Sequence, residues 1–314
     1  MKVTALCGGV GAARLLRGLV RATDPAQVTA IVNVGDDCDL HGLSISPDLD
    51  TITYTVSGSV NPATGWGLAG ESWAAMDALK RFSDVAPPGS GAGATWFGLG
   101  DRDLATHLYR TGRRHEGAAL SEVTAEIARA FHLGFTLLPV TDDPLRTRVV
   151  VDGDDLDFQT WFVGRRHEGT VSGVSFDGAN GARPAPGVLE ALVSAERLLL
   201  CPSNPLVSLS PILAVPAVGA AVAARRDDAV AVSPIVGGAA LKGPAATMMA
   251  DLGHEVSPVG VARLLARFAG TLVVDEVDAG LAGAVEDEGM RCVVARSVMS
   301  DEEAATALAL VTLA

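Results

Sequence analysis

The sequence predicts an α/β protein: a Rossmann-like, doubly wound and mostly parallel sheet with an inserted smaller α+β subdomain. Three observations carry that expectation. Short apolar runs, several rich in Val, recur at VTAL (3–6), TAIVNV (29–34), RLLLCP (197–202), AVAVSPIV (229–236), TLVVDE (271–276) and RCVVA (291–295). Continuous apolarity of this length suits strands buried on both faces, the habit of parallel sheets. Helical spacing fills the gaps in GAARLLRGLVRA (11–22), GVLEALVSAER (187–197), AVPAVGAAVAARR (214–226) and VGVARLLARFA (259–269), so strands alternate with amphipathic helices as in βαβ units. The middle breaks the alternation. A helical stretch at ESWAAMDALKRF (71–82) leads into a loop at APPGSGAGA (86–94), and TRVVVDGDDLDFQTWFV (147–163) reads as a β-hairpin turning at Asp152, Gly153 and Asp154. The expected organisation is therefore a nucleotide-binding core over 1–60 and 188–314, with an inserted helical and hairpin subdomain over 61–187.

The bulk properties narrow the function classes. The chain has 314 residues, enough for one large α/β unit or two closely joined domains with a full core. Its formal net charge of −13 argues against a nucleic-acid or anionic-membrane surface, because nothing neutralises many phosphates at once. A phosphate ligand is still compatible if it is held locally by backbone N–H groups, a few Arg or Lys, or a divalent cation. The four cysteines, Cys7, Cys38, Cys201 and Cys292, lie far apart without C-x-x-C spacing, which disfavours structural zinc and a disulfide framework and suits a reducing cytoplasm. MKVTALCGG resembles neither a signal peptide nor a membrane span.

Chemistry concentrates in the loops that close the strands. CGGVGAAR (7–14) leaves the first strand and opens the first helix, where glycines admit an anion at a helix N-terminus. Aligned as a dinucleotide fingerprint through Gly9 and Gly11, it places Arg14 where a small residue should pack helix on strand. A phosphate or mononucleotide loop, or a merely tight turn, therefore fits better than NAD. NVGDDCDLHGLSISPDLDT (33–51) then gathers Asp36, Asp37, Asp39, Asp48 and Asp50 with no Lys or Arg between them. SPDLD reads as a helix start, with Ser46 as cap, Pro47 in the first position and acids facing the helix dipole. A cap explains one of Asp48 and Asp50 but not the cluster, since crowded unpaired carboxylates cost stability unless a cation sits among them. An all-oxygen ligand set points to Mg²⁺ rather than zinc.

Further along, LGDRDLATHL (99–108) puts Asp101, Arg102 and Asp103 at the head of a helix, as an ion-paired cap or as a ligand clamp built on the Arg fork. TDDP (141–144) reads as a turn. CPSNP (201–205) and SPIVGG (233–238) end two strands with Ser203, Asn204, Ser233, Gly237 and Gly238, polar and glycine groups suited to a second ligand-binding edge. Lys242 follows closely. Cys7, Cys38 and Cys201 read as small buried fillers.

Taken in order, GGVGAARLL, NVGDD, SPDLDT, Trp66–Gly67, LGDRDLATHL, LLPVTDDP, FQTWFV, PSNPLVS, AVSPIVGG with GPAA, and VMSD resemble the CofD/FbiA-like family from Met1 to about Asp301. These are the 2-phospho-L-lactate transferases, phosphoenolpyruvate transferases in bacteria, of coenzyme F-420 biosynthesis. The resemblance implies Mg²⁺-dependent transfer from a guanosine diphosphate ester, enolpyruvyl-diphospho-5′-guanosine or its lactyl counterpart, to the ribityl hydroxyl of the deazaflavin Fo. GMP leaves, and the product is dehydro-F-420-0 or F-420-0. It also implies a homodimer. GGVGAAR is closer to the bacterial GGVGGAR than to the archaeal GGTGTPK, which favours the enolpyruvyl donor. On this basis Asp36 and Asp50 are expected to hold the metal, with Asp37 and Asp48 expected to support those ligands from behind or to bind the acceptor. Asp48, Asp50, Asp101 and Arg102 are expected on the Fo side. Gly8, Gly9, Gly11, Ser203, Asn204, Ser233 and Gly237 are expected on nucleotide and phosphate, and Asp36, Asp50 and Arg102 are the expected catalytic groups. The rival reading is a nucleotide-sugar-binding regulatory protein of a related Rossmann-like group, without transfer chemistry; LGDRD and PSNP favour the transferase.

Overall fold

The computed structural model describes residues 1–88, 90–92 and 94–314; positions 89 and 93 of the expected 86–94 loop lie outside the described residues. Seven parallel strands form the central sheet: β1 (Val3–Cys7), β2 (Val28–Val32), β3 (Thr136–Pro139), β4 (Arg197–Leu200), β5 (Ala229–Val232), β6 (Thr271–Asp275) and β7 (Arg291–Ala295). Their spatial order is β7-β6-β5-β4-β1-β2-β3. The alternation of apolar runs and helices thus becomes a doubly wound sheet flanked by helices, and every residue of β1 is buried. The chain first builds outward on one side of β1, through β2 and β3, then crosses to the other side and builds outward from β4. That reversal leaves a crevice beyond the carboxyl ends of β1 and β4, where open α/β sheets bind ligands.

Three local readings change. The run 229–236 is not one strand: β5 stops at Val232, Ser233 and Pro234 break the ladder, and Ile235–Val236 pairs with Ala239–Ala240 in a separate small hairpin. Pro234 has no N–H to donate, which suits the break. The helix expected over 214–226 divides at Val215 into Ser210–Ala214 and Pro216–Ala223, with Pro216 opening the second piece. The segment 61–187 is also not wholly an insertion, because β3 lies inside it and pairs in parallel with β2, Thr29 opposite Thr136 and Val32 opposite Pro139. The remainder contributes helix α3 (Ala74–Ser83), helix α4 (Asp103–His115), helix α5 (Leu120–Ala130) and a three-stranded antiparallel sheet. That sheet contains the expected hairpin, Arg146–Val151 against Asp154–Asp157, with Asp152 and Gly153 at positive φ in the turn.

Helix α1 (Gly9–Ala22) starts directly after β1 and packs on α2 (Pro47–Val56) and on the C-terminal helix Glu302–Leu313. Gly18 makes the second contact close: a Cβ there would stand 2.2 Å from the Ala305 carbonyl oxygen. Arg14 is exposed and donates to the Met299 carbonyl at 3.3 Å, so it does not occupy the helix-to-strand packing position of a dinucleotide fold. No single helix among the described residues is long and apolar enough to cross a membrane.

Candidate active site

The glycine loop is shaped by what approaches it. A Cβ on Gly11 would lie 2.3 Å from the Pro202 carbonyl oxygen, and Gly9 adopts φ +72°, a left-handed conformation that glycine enters without strain. The loop after β1 is therefore pressed against the loop after β4. Ser203 closes the contact, its hydroxyl accepting the Gly8 N–H at 3.1 Å.

Asp48 ties the acidic helix start to the same loop. Its carboxylate accepts the Gly9 N–H at 2.8 Å and the Asn33 side-chain N–H at 2.9 Å. A carboxylate thus meets the N-terminus of α1, where an anion is electrostatically favoured. Burial pushes Asp48 up to about 6, although the Asn33 and Gly9 hydrogen bonds pull the other way. The Ser46 hydroxyl does not cap α2 as expected; it donates to Asp37 Oδ2 at 2.8 Å, while Pro47, Asp48 and Asp50 occupy the first turn as the sequence indicated.

Asp36 and Asp37 are only partly compensated. Each has a buried Oδ1 with no hydrogen-bond partner. Burial holds Asp36 well above the usual carboxylate range, and the neighbouring charges of Asp48 and Asp37 add to it. Asp37 is pushed up to about 7, chiefly by burial against the opposing pull of Ser46, Arg110 and Arg146. Paired desolvated carboxylates with free oxygens fit a hard divalent cation, which takes one or two carboxylates and completes its shell with water and phosphate oxygens. No set of three His, Cys, Asp or Glu ligands exists among the described residues, so a fully protein-made cage is absent there.

Asp50 has a different partner from the one expected. Arg110 Nη2 pairs with Asp50 Oδ1, Arg110 Nη1 donates to Oδ2 at 3.1 Å, and His107 Nδ1 lies 3.7 Å from Oδ2. The guanidinium fork satisfies both oxygens, leaving Asp50 poorly placed to ligate a metal directly. Asp103 extends this buried network, accepting the Tyr54 hydroxyl at 2.6 Å and lying 3.3 Å from His107 Nε2. Arg110, only 2% exposed, was not singled out from sequence, yet Asp103, His107 and Arg110 follow helical spacing and form one polar stripe.

The other expected positions separate. Asp101 caps α3, accepting the Ala74 and Ala75 N–H groups at 3.0 Å each, and its hydrogen bonds with Ser72 and these amides lower its pKa. Arg102 donates to the Ala69 carbonyl at 2.9 Å, while Glu71, also missed from sequence, accepts the Arg102 and Asp103 N–H groups at 2.7 and 2.9 Å. The LGDRD segment is thus a double capping structure. Asn204 Oδ1 accepts the Leu206 N–H at 2.9 Å, Ser233 closes a turn on Ile235, and Gly237 donates to Asp278 at 3.0 Å. The cysteines offer no activated thiol: burial raises Cys7, which lies 3.5 Å from the Cys201 sulfur, and lifts Cys38 to about 12.

Fold and site together define a Rossmann-like α/β protein whose glycine loop meets a desolvated carboxylate cluster at the point of strand reversal. The family described as 2-phospho-L-lactate transferase CofD matches residues 3–308. The phosphoenolpyruvate transferase of Streptomyces griseus is 41% identical over 98% of this chain and 96% of its own length. That of Mycolicibacterium smegmatis is 36% identical over 98% and 96%. A solved Bacillus halodurans protein of the UPF0052 family shares the fold, with a TM-score of 0.61 and 16% identity over 100% of this chain and 98% of its own. The chain belongs to the CofD family and is a transferase of the phosphoenolpyruvate or phospholactate class.

Proposed function

We propose that this chain is a Mg²⁺-dependent transferase that moves a phosphoenolpyruvyl group from enolpyruvyl-diphospho-5′-guanosine to the ribityl hydroxyl of Fo, releasing GMP, with the 2-phospholactyl donor as the alternative substrate. The observation that carries this reading is the pair of buried, unpaired oxygens on Asp36 and Asp37 beside a glycine loop. Phosphoryl transfer needs positioning and charge neutralisation rather than a protein nucleophile. The identity to bacterial phosphoenolpyruvate transferases favours the enolpyruvyl donor. A cytoplasmic homodimer is part of the proposal.

In this reading the ribityl oxygen attacks the phosphorus that bears the three-carbon acid. The bond from that phosphorus to the oxygen bridging it to GMP breaks, and the bridging oxygen leaves with GMP. A carboxylate of the 36–39 loop takes the hydroxyl proton. Asp36 and Asp37 would hold Mg²⁺, which when bound neutralises diphosphate charge and stabilises the leaving group. Gly8, Gly9 and Gly11 shape the loop proposed to receive phosphate: the Gly8 and Gly9 N–H groups are taken by Ser203 and Asp48, which leaves the following first-turn amides of α1, without intrahelical acceptors, for the ligand. Ser203 and Asn204 set the facing wall, and Ser233 and Gly237 are proposed further along the nucleotide. Asp48 and Asn33 fix the distance between loop and carboxylates, while Arg110 fixes Asp50 and with it α2. Asp48, Asp50, Asp101 and Arg102 remain the proposed acceptor-side set, with Asp101 and Arg102 acting through the segment they cap.

The test is to incubate purified protein with Fo, each donor, and either MgCl₂ or EDTA, following product mass and GMP. Product with Mg²⁺ and none with EDTA is expected. Stabilisation by UDP-sugar alone, with no product from either donor, would overturn the reading.

A further inference from the structure

Beside the carboxylate cluster, a cavity of about 270 Å³ opens between the 35–40 loop and the antiparallel hairpin. Asp36 and Asp37 line one side; Arg146, Thr147, Phe158 and Gln159 line the other. Thr147 is 1% exposed, and its buried hydroxyl faces Asp36, lowering that carboxyl's pKa without meeting full hydrogen-bond geometry. Gln159, 6% exposed, brings an amide to the same wall. Two buried polar side chains at one cavity, one with an incompletely bonded hydroxyl, are an expense that a polar ligand would offset.

Arg146 is the sole cationic side chain lining this space among the described residues. Its fork is open. Nη1 donates at 3.1 Å to the carbonyl of its own neighbour, Leu145, and Nη2 lies 3.7 Å from a carboxylate oxygen of Asp39, whose side chain is 70% exposed. Any anionic fragment entering here meets Asp36, Asp37, Asp39 and Asp157 as well, so Arg146 is the side chain that compensates its charge, beside any cation held by Asp36 and Asp37. A planar guanidinium matches a carboxylate in two parallel hydrogen bonds. Phe158 supplies an apolar face for a short carbon skeleton.

We infer that this cavity receives the three-carbon end of the donor, with Arg146 binding its carboxylate and Thr147 and Gln159 donating to its remaining oxygens. The inference rests on the transferase reading. It makes Arg146 the residue that separates carboxylated donors from neutral ones.

The test compares enolpyruvyl-diphospho-guanosine with its methyl ester, on the full chain with Fo and Mg²⁺, in wild type, Arg146→Gln and Arg146→Lys. The ratio of kcat/KM for acid over ester cancels any general loss of folding or metal binding within each variant. Wild type should prefer the acid by about thirtyfold or more, the size expected of a charge-assisted bidentate contact. Arg146→Gln should bring the ratio to within about threefold of unity, and Arg146→Lys should recover part of it, a point charge without the fork. An unchanged ratio in Arg146→Gln overturns the inference, as does a wild type that accepts both donors equally. A raised KM for Fo with the donor ratio intact would assign the cavity to the acceptor and also overturn it. No transfer by wild type with the acid donor would remove the transferase reading itself, whereas transfer without discrimination removes only this inference.

Discussion

Asp37→Asn should make the ligand-free protein more stable while removing its response to divalent cations. Asp37 is pushed from the ordinary carboxylate range up to about 7, and each tenfold change in proton affinity corresponds to about 1.4 kcal/mol. The ceiling on the cost of keeping this carboxylate charged is then about 4 kcal/mol, and its partial exposure reduces that to about 2 kcal/mol. For a chain of this length, about 2 kcal/mol corresponds to roughly 3 °C in Tm. The sign follows from linkage. The folded pKa lies above the unfolded one, so the folded state holds the proton more tightly; stability is highest below about pH 4 and falls as pH rises towards about 7. Asparagine keeps an acceptor for the Ser46 hydroxyl but carries no charge, so the variant should match wild type near pH 4 and exceed it at pH 8. Thermal melts across that range, with EDTA and with MgCl₂, read both effects. Mg²⁺ should raise the wild-type Tm at pH 8 and leave the variant unmoved. A variant melting at or below wild type at pH 8, with its Mg²⁺ shift intact, would refute the reasoning.

Arg110→Gln leaves Asp50 buried beside only a distant His107, and should lower stability in urea melts by about 3–5 kcal/mol, with Arg110→Met/Asp50→Leu recovering most of it. Gly11→Ala forces a methyl group to 2.3 Å from the Pro202 oxygen, so the β1 and β4 loops must part; Tm should fall and stabilisation by GDP should disappear. Asp101→Ala removes the acceptor of two α3 amides and should lower stability in denaturation, with hydrogen exchange accelerated over Ala74–Ser83.

The fold was legible where burial was symmetric. Val3–Cys7 and Thr271–Asp275 sit within about a residue of the apolar runs that announced them, because a strand covered on both faces needs no alternation. Thr136–Pro139 escaped notice for the opposite reason. It is a four-residue edge strand ending in proline, which an edge tolerates and a central strand does not. In the site, the acid cluster was visible, but its internal division was not. Asp50 is neutralised by an arginine 60 residues away, and Asp48 by amides 39 and 15 residues away, so the partner of each carboxylate is a property of topology rather than of local spacing.

That division also resolves why an acidic chain would handle an acidic substrate. Asp50 is cancelled by Arg110, Asp48 is spent on the glycine loop, and Asp101 on a helix cap, so among the described residues the buried carboxylate oxygens left without a hydrogen-bond partner are Asp36 Oδ1 and Asp37 Oδ1. Two unpaired carboxylates repel a diphosphate on their own and attract it once a divalent cation lies between them. In the proposed reaction the same pair would set an order of assembly, cation with or before donor. Arg110 and Arg146 both favour the ionised form of Asp37, but burial outweighs them and holds both carboxyls above the usual range, so cation binding should strengthen as pH rises through about 7.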